Sequence, residues 1–400
     1  MQDSKTALNI YVGLFAILTL TEFFESSLFV SLVRGLFILW SFSYFVKVLV
    51  NFKKEPLFIK SLIILFVMFA VYGTLPVLEG KTFHVTAISV KKVISYAYLL
   101  KISISLLPIF VFYSYAKKGI LTKRYICNSI WFLFAVVTLY YLLMRQTAMG
   151  RNDTDEITNN AGYRVLSIIP LLMFLKAKSL KQILFLVYCL LLIILAMKRG
   201  AILCSLIVVG IYFLYLLRGK RKSSFWTAII IICLSVGFLI FAFDRMMSKS
   251  ELFQERVEET LDGNSSERDT YYLFFLNYYL NETTEREFLL GRGANGTLEI
   301  WSNYAHNDWL EIAINQGLLG VAIYLVFWIC FLALCLKKID AQFKTVLWML
   351  FSIYFLKTFF SMSYDQYTLY ASIALGYCVA FTYAKKTKVS INTVNSLLRK

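Results

Sequence analysis

Histidine is almost absent: His84 and His306 are the only two in 400 residues, which excludes a histidine-rich metal centre. The seven cysteines, Cys127, Cys189, Cys204, Cys233, Cys330, Cys335 and Cys378, all fall inside apolar runs and form no CxxC pair. They read as small buried hydrophobes, neither a disulfide frame nor a metal site. Acidic residues are scarce too, 24 against 41 Lys and Arg, for a net charge of +17. A nucleic-acid surface would gather that charge into a patch. Here it sits in short clusters between apolar runs, the pattern of cytoplasmic loops, so nucleic acid is not an expected partner. The first apolar run lacks a small-residue cleavage site and is followed by Glu22 and Glu25, so no cleavable signal peptide is expected.

What the chain has in excess is apolar surface: 59% of its residues are hydrophobic and 17% aromatic, against roughly 45–50% apolar in soluble domains. Apolar stretches occur at about 7–21, 28–50, 57–78, 93–115, 125–145, 163–176, 181–197, 201–218, 225–243, 311–335, 344–363 and 366–384, most of them near the roughly 17–25 residues that a bilayer requires. This predicts an all-α, polytopic membrane protein with about twelve helices; the sixth and seventh are short enough to merge. Pro108 and Pro170 are expected to kink their helices.

Charge sets the expected orientation. With the N-terminus inside, the cytoplasmic loops carry Lys53/Lys54, Lys117/Lys118/Lys123/Arg124, Lys176/Lys178/Lys181, Arg218/Lys220/Arg221/Lys222 and Lys337/Lys338/Lys344, with Asp3, Glu55 and Asp340 as their few acids. Both termini are then cytoplasmic. The chain divides into nine transmembrane helices over 1–243, a long extracytoplasmic loop over 244–310, three more helices over 311–384 and a cytoplasmic tail over 385–400. Within the loop, Glu251–Leu261 reads as an acidic amphipathic helix. Ser265 or Ser266 then caps a second helix to about Asn281, whose Tyr271, Tyr272, Phe274, Phe275, Tyr278 and Tyr279 suit the headgroup region. No internal repeat and no inverted pair of broken helices is evident, as a transporter often shows.

The most informative stretch runs from Gly291 to Leu325. Ser302 or Asn303 can cap a helix that carries His306 in its first turn, where the positive end of the helix dipole disfavours imidazolium. A neutral histidine can take a proton from a sugar hydroxyl as general base. Ala313, Gly317 and Gly320 form a small-residue face that packs the helix tightly. The bland reading of His306 is an interfacial residue with local hydrogen bonds. Gly291-Arg-Gly293-Ala-Asn-Gly296 matches GxGxxG by letter but lacks the strand–turn–helix unit of a dinucleotide site, so these glycines read as turn positions.

Ala305-His306-Asn307-Asp308-Trp309-Leu310 followed by Gly317-Leu-Leu-Gly320 resembles the O-antigen polymerase and ligase superfamily: Wzy-type polymerases and lipopolysaccharide O-antigen ligases. Met197-Lys198-Arg199-Gly200-Ala201 is similar to the family's Ser/Thr-Arg-Gly/Ala element, with Lys198 in place of the usual hydroxyl residue. Ser265-Ser266-Glu267-Arg268 and Leu289-Leu290-Gly291-Arg292-Gly293 resemble its loop arginine and downstream Gly-x-Gly. Together these motifs cover about 195–325. The resemblance implies a GT-C-like, metal-independent, inverting glycosyltransferase without cofactor, in the bacterial inner membrane. Its implied donor is an undecaprenyl-pyrophosphate-linked glycan; membrane lipid and a chain-length regulator are further candidate partners.

On that resemblance, His306 activates the acceptor hydroxyl while Arg199 and Arg268 hold the leaving diphosphate, a task that suits arginine's planar fork. The alternative for both arginines is interfacial anchoring or local ion pairing. Lys198, Asn307 and Arg292 join them as candidate substrate-binding residues. Arg34, Lys101 and Lys357 sit within apolar runs, where charge is costly and faces a cavity or a partner; they are candidates for the lipid diphosphate, with snorkelling as the alternative. Arg145, Arg151 and Arg164 read as solvated loop charge, with a glycan or phosphate contact as the alternative, and Asp308 and Glu311 as solvated helix-start acids that could instead orient His306 or bind sugar hydroxyls. His84 has no supporting pattern. A polymerase is the first expectation. A ligase acting on lipid A-core, a ligase that decorates protein, and a transporter of the lipid-linked glycan remain as rivals.

Overall fold

The computed structural model describes residues 2–23, 28–80, 82–85, 91–94, 96–149, 161–175, 180–196, 198–217, 268–301 and 303–384, with isolated positions between 237 and 258. Eleven of the twelve expected apolar stretches are helices there. In chain order they are α1 Gln2–Leu20, α2 Leu28–Val50, α3 Leu57–Leu78, α4 Tyr96–Lys117, α5 Lys123–Met149, α6 Ala161–Leu172, α7 Leu180–Leu195 and α8 Arg199–Leu217, and late in the chain α12 Asp308–Leu336, α13 Ala341–Lys357 and α14 Leu369–Ala384. The sixth and seventh are separate helices. The ninth stretch, the acidic helix at 251–261, the caps Ser265 and Ser266, Arg151 and the tail from 385 lie outside the described residues, apart from isolated positions.

Among the described residues six helices (α2, α3, α4, the Lys123–Met144 part of α5, α8 and α12) are long and apolar enough to cross a membrane. The two faces of α2 show why lipid is the medium. Val33, Phe37, Phe45 and Val48 are buried in the bundle, while Leu32, Leu36 and Leu39 on the other side are 55%, 59% and 68% exposed. In water such a leucine row would invite association; hydrocarbon accepts it. The chain is a polytopic, overwhelmingly helical membrane protein. Close approach within the bundle relies on small residues: a side chain at Gly376 of α14 would strike the backbone of Tyr113 in α4.

Two features differ from expectation. The runs Thr82–Val85 and Lys91–Ile94, with Thr, Phe, Val and Ile suited to a pleated ribbon, pair as an antiparallel hairpin (β1 and β2) that an all-α reading lacks. His84 lies on β1 opposite Lys92. The second is in α12, which is interrupted at Gly317 (φ 67°, ψ −167°). Gly317 therefore does not extend a helix-packing face. It lets a loop reach the helix: a Cβ there would collide with the Leu289 carbonyl and the Gly291 nitrogen. Carbonyls left open by the break are satisfied by that loop, Arg292 N donating to Ile314 O and Gly293 N to Asn315 O, each at 2.9 Å. Gly291 and Gly293 supply the positive φ values, 74° and 99°, that bring the backbone in.

The segment before α12 folds as three short helices, α9 Arg268–Asn277, α10 Glu285–Leu290 and α11 Gly296–Trp301, with a π turn over Tyr278–Glu282. A reciprocal capping box starts α10: Thr284 Oγ1 accepts from Glu287 N, and the Glu287 carboxylate accepts from Thr284 N. Phe275 and Tyr279 are buried with Ala305, Ala313 and Ile314 in a second small core. Part of the aromatic set thus fixes α9 against the first half of α12, beside His306.

Candidate active site

A cavity of about 800 Å³ lies among α1, α4, α5, α6, α13 and the start of α14, with Arg268 of α9 and His306 in its wall. Among the described residues its walls bring together six cationic side chains, Arg34, Lys101, Arg164, Lys198, Arg268 and Lys357, one carboxylate, Asp365, and His306. Helix N-termini add partial positive charge. Lys198 precedes α8, its carbonyl accepting from Ala201 N and Ile202 N, and Thr368 caps α14 through Oγ1 to Ala371 N. The cavity is therefore strongly electropositive, chemistry that favours an anion such as a phosphate or diphosphate.

His306 is not in the first turn of a helix capped by Ser302 or Asn303. The N-cap of α12 is Asn307, whose Oδ1 accepts from Trp309 N at 2.9 Å and Leu310 N at 3.2 Å. His306 precedes it in the left-handed region, φ 51°, a conformation that costs an L-residue roughly 1–2 kcal/mol. Neighbours hold it there. Ala305 N donates to Glu311 Oε2 (2.9 Å), Tyr272 Oη donates to the His306 carbonyl (3.2 Å), and Asp308 N donates to Thr358 O (2.8 Å). A strained, over-determined residue in a cavity wall is a mark of function. Burial pushes the His306 imidazole down from 6.5 to about 4, and the charges of Arg268 and Lys198 press the same way. It is neutral near pH 7, as expected, but through desolvation and two cations rather than the helix dipole.

Asp308 and Glu311 are neither solvated nor bonded to the imidazole. Both are fully buried. Asp308 accepts from Tyr324 Oη (2.6 Å) and Ser363 N (2.8 Å). Glu311 accepts from Thr297 Oγ1 (2.7 Å), Asn315 Nδ2 (3.0 Å) and Ala305 N. They lock the backbone on both sides of His306, so they position the site without facing it.

Of the other expected residues, Arg268 lines the cavity and donates from Nη1 to Phe360 O at 3.0 Å. Lys198 lines it as well, whereas Arg199, the first residue of α8, is not part of the lining. Neighbouring side chains at a helix start point in different directions, and here the lysine takes the inward one. Gly200 is needed beside them because a Cβ there would strike Tyr163 and Phe360. Arg34 and Lys101 line the cavity, and Lys357 does so while buried, its ammonium bonded to Gln366 and 4.7 Å from the Tyr163 ring centre. Asn307 and Arg292 lie outside the lining. Asn307 is occupied as a cap and donates to Phe359 O, and Arg292 pairs with Glu287 (3.0 Å), Glu299 (3.5 Å) and Tyr278 Oη, pinning α10 to α11. Sequence reasoning ranked a glycan or phosphate contact of Arg164 below solvated loop charge, yet Arg164 lines the cavity, 3.9 Å from the Tyr140 ring centre; that reasoning gave no role to the 361–370 segment. A cation two residues after Gly162 in an apolar run was the available signal for Arg164.

The imidazole is accessible to titration by NMR in a His84→Gln background. His306 is expected to take up its proton only as pH falls toward about 4. In Arg268→Ala the midpoint should rise, because a charge opposing imidazolium is gone. A wild-type midpoint near 6.5, the ordinary value, would mean that the cavity does not depress it.

A family model described as O-antigen ligase matches residues 184–325. That interval holds Lys198, Arg199, Arg268, Arg292, His306 and Asn307, and it ends before Lys357 and Asp365. No curated protein matches the chain. The stretch carrying the three motifs, 184–325, belongs to the O-antigen polymerase and ligase superfamily.

Proposed function

We propose that this protein is a polysaccharide polymerase of O-antigen or capsule type, transferring a glycan from an undecaprenyl-pyrophosphate carrier to a lipid-linked repeat unit. The observation that carries this reading is the cavity in which a neutral, strained His306 shares the wall with six cations and one carboxylate. His306 removes the proton of the acceptor hydroxyl as its oxygen attacks the anomeric carbon. The bond from that carbon to the diphosphate breaks on the opposite side, and its electron pair leaves with the diphosphate. Arg268, Lys198 and Lys357 neutralise the developing charge, so inversion follows from a single displacement with no metal required. The family match supports glycosyl transfer in lipopolysaccharide or related glycan assembly. We place the site on the periplasmic or extracellular face of the inner membrane, in a GT-C-like bundle of about twelve spans with both termini cytoplasmic; lysine-rich loops on the other side support this orientation.

Purified full-length protein in nanodiscs, given the lipid-diphosphate-linked repeat unit, should produce a ladder of longer glycans with EDTA present. Loss of the ladder on chelation would remove the metal-independent mechanism. Product formed only on added lipid A-core would reassign the protein as a ligase, and movement of the lipid between leaflets without extension would make it a transporter. A deletion strain separates the first two in cells: without a polymerase, surface material with one repeat unit remains, and without a ligase attachment is lost.

A further inference from the structure

One short segment, residues 361–370 between α13 and the start of α14, supplies the one carboxylate among the described lining residues, Asp365, and takes a bond from the Lys357 ammonium through Gln366. Three polar atoms on lining residues of this segment are buried without a hydrogen-bond partner among the described residues: Asp365 Oδ1, Tyr367 Oη and Tyr370 Oη. Tyr367 is 6% exposed and Tyr370 1%. A buried polar atom left without a partner is destabilising, and three of them on one segment of one cavity wall call for a ligand that completes them.

A diphosphate does not fit that description, since a carboxylate repels it. Sugar hydroxyls do. They donate to a carboxylate, and both donate to and accept from a phenol. The segment is also held rigid, as a recognition surface must be. Tyr367 N donates to Ser105 Oγ at 2.7 Å, the Tyr367 ring stacks on Tyr354 with centroids 4.1 Å apart, and Thr368 Oγ1 bonds Ser167 Oγ at 2.7 Å. Asp308 ties the segment to the His306 turn, accepting from Ser363 N while its own N–H donates to Thr358 O. A sugar ring seated here shares the cavity with the imidazole.

We infer that Asp365, Tyr367 and Tyr370 form the acceptor subsite, hydrogen-bonding the hydroxyls of the sugar ring whose free hydroxyl His306 deprotonates. The inference rests on the cavity being the glycosyl-transfer site, and its test is a binding measurement that does not need turnover. The probe is the repeat-unit glycan freed of diphosphate and carried on an octyl chain, so that it can accept but not donate. It is titrated by ligand-observed NMR into full-length protein in nanodiscs, with inorganic pyrophosphate as a second probe. Tyr367→Phe, Tyr370→Phe and Asp365→Asn should each weaken the octyl glycoside about tenfold, the loss of one buried hydrogen bond, while pyrophosphate affinity does not fall. Unchanged glycoside affinity in all three variants, or a parallel loss of both probes, would overturn the subsite. A wild-type protein that binds the glycoside with this pattern but forms no ladder would overturn the polymerase reading and leave the sugar site standing.

Discussion

His306→Ala is expected to lower chain extension by about 10²–10⁴-fold, the range attributed to a positioned general base, while the protein still inserts and unfolds at its wild-type temperature. The argument combines geometry and charge. His306 is held in a left-handed conformation by the Ala305, Tyr272 and Asp308 contacts, which are backbone bonds that a side-chain truncation leaves in place. What is removed is a neutral nitrogen in a cavity built for an anion. His306→Gln discriminates proton transfer from simple hydrogen bonding, since an amide can hold the acceptor but cannot take its proton. Both variants should fail alike; a His306→Gln enzyme with more than half of wild-type activity would eliminate the base. The pH profile follows from the same charges. Burial and the charges of Arg268 and Lys198 depress the imidazole to about 4, so the free protein keeps a neutral base until pH falls that far. A bound diphosphate brings negative charge beside it, stabilises imidazolium and raises its pKa. The acid limb of kcat should therefore lie at higher pH than that of kcat/KM.

The sequence made the bundle readable because hydrocarbon imposes one demand, a long run of apolar residues with few charges, and 28–50 and 57–78 meet it with the same limits as α2 and α3. The same demand exposed Arg34, Lys101 and Lys357: charge inside such runs needs a reason, and the cavity supplies it. The helix break at Gly317 was hidden because a lone glycine in an apolar run reads equally well as a packing position. Only the loop that occupies it, Leu289 to Gly293, distinguishes the two, and that contact joins segments more than twenty residues apart. Asp308 and Glu311 looked solvated because a helix-start acid normally is; their partners, Tyr324, Ser363, Thr297 and Asn315, become visible only once the elements are packed. Lys198 and Arg199 show the finest limit. The motif flagged the pair, but which neighbour faces inward depends on one peptide's rotation at the start of α8.

Arg268 carries the second large effect. Its Nη1–H is fixed by the Phe360 carbonyl at 3.0 Å, which pre-orients the guanidinium and leaves the remainder of the fork for phosphate oxygens. Arg268→Ala should lower kcat by about 10²–10³-fold, as loss of one donor to a developing oxyanion does. Arg268→Lys should restore only part of that, because an ammonium returns the charge without the two-point geometry. The balance between kcat and KM tests the assignment more sharply than total activity. Charge on the bridging oxygen grows as the glycosidic bond breaks, so a cation that serves the departing diphosphate acts most in the transition state and its removal falls on kcat. A variant that raises donor KM with kcat intact would show that Arg268 only anchors the bound carrier. The leaving-group role would then pass to Lys198 and Lys357, the other cations that share its cavity with His306.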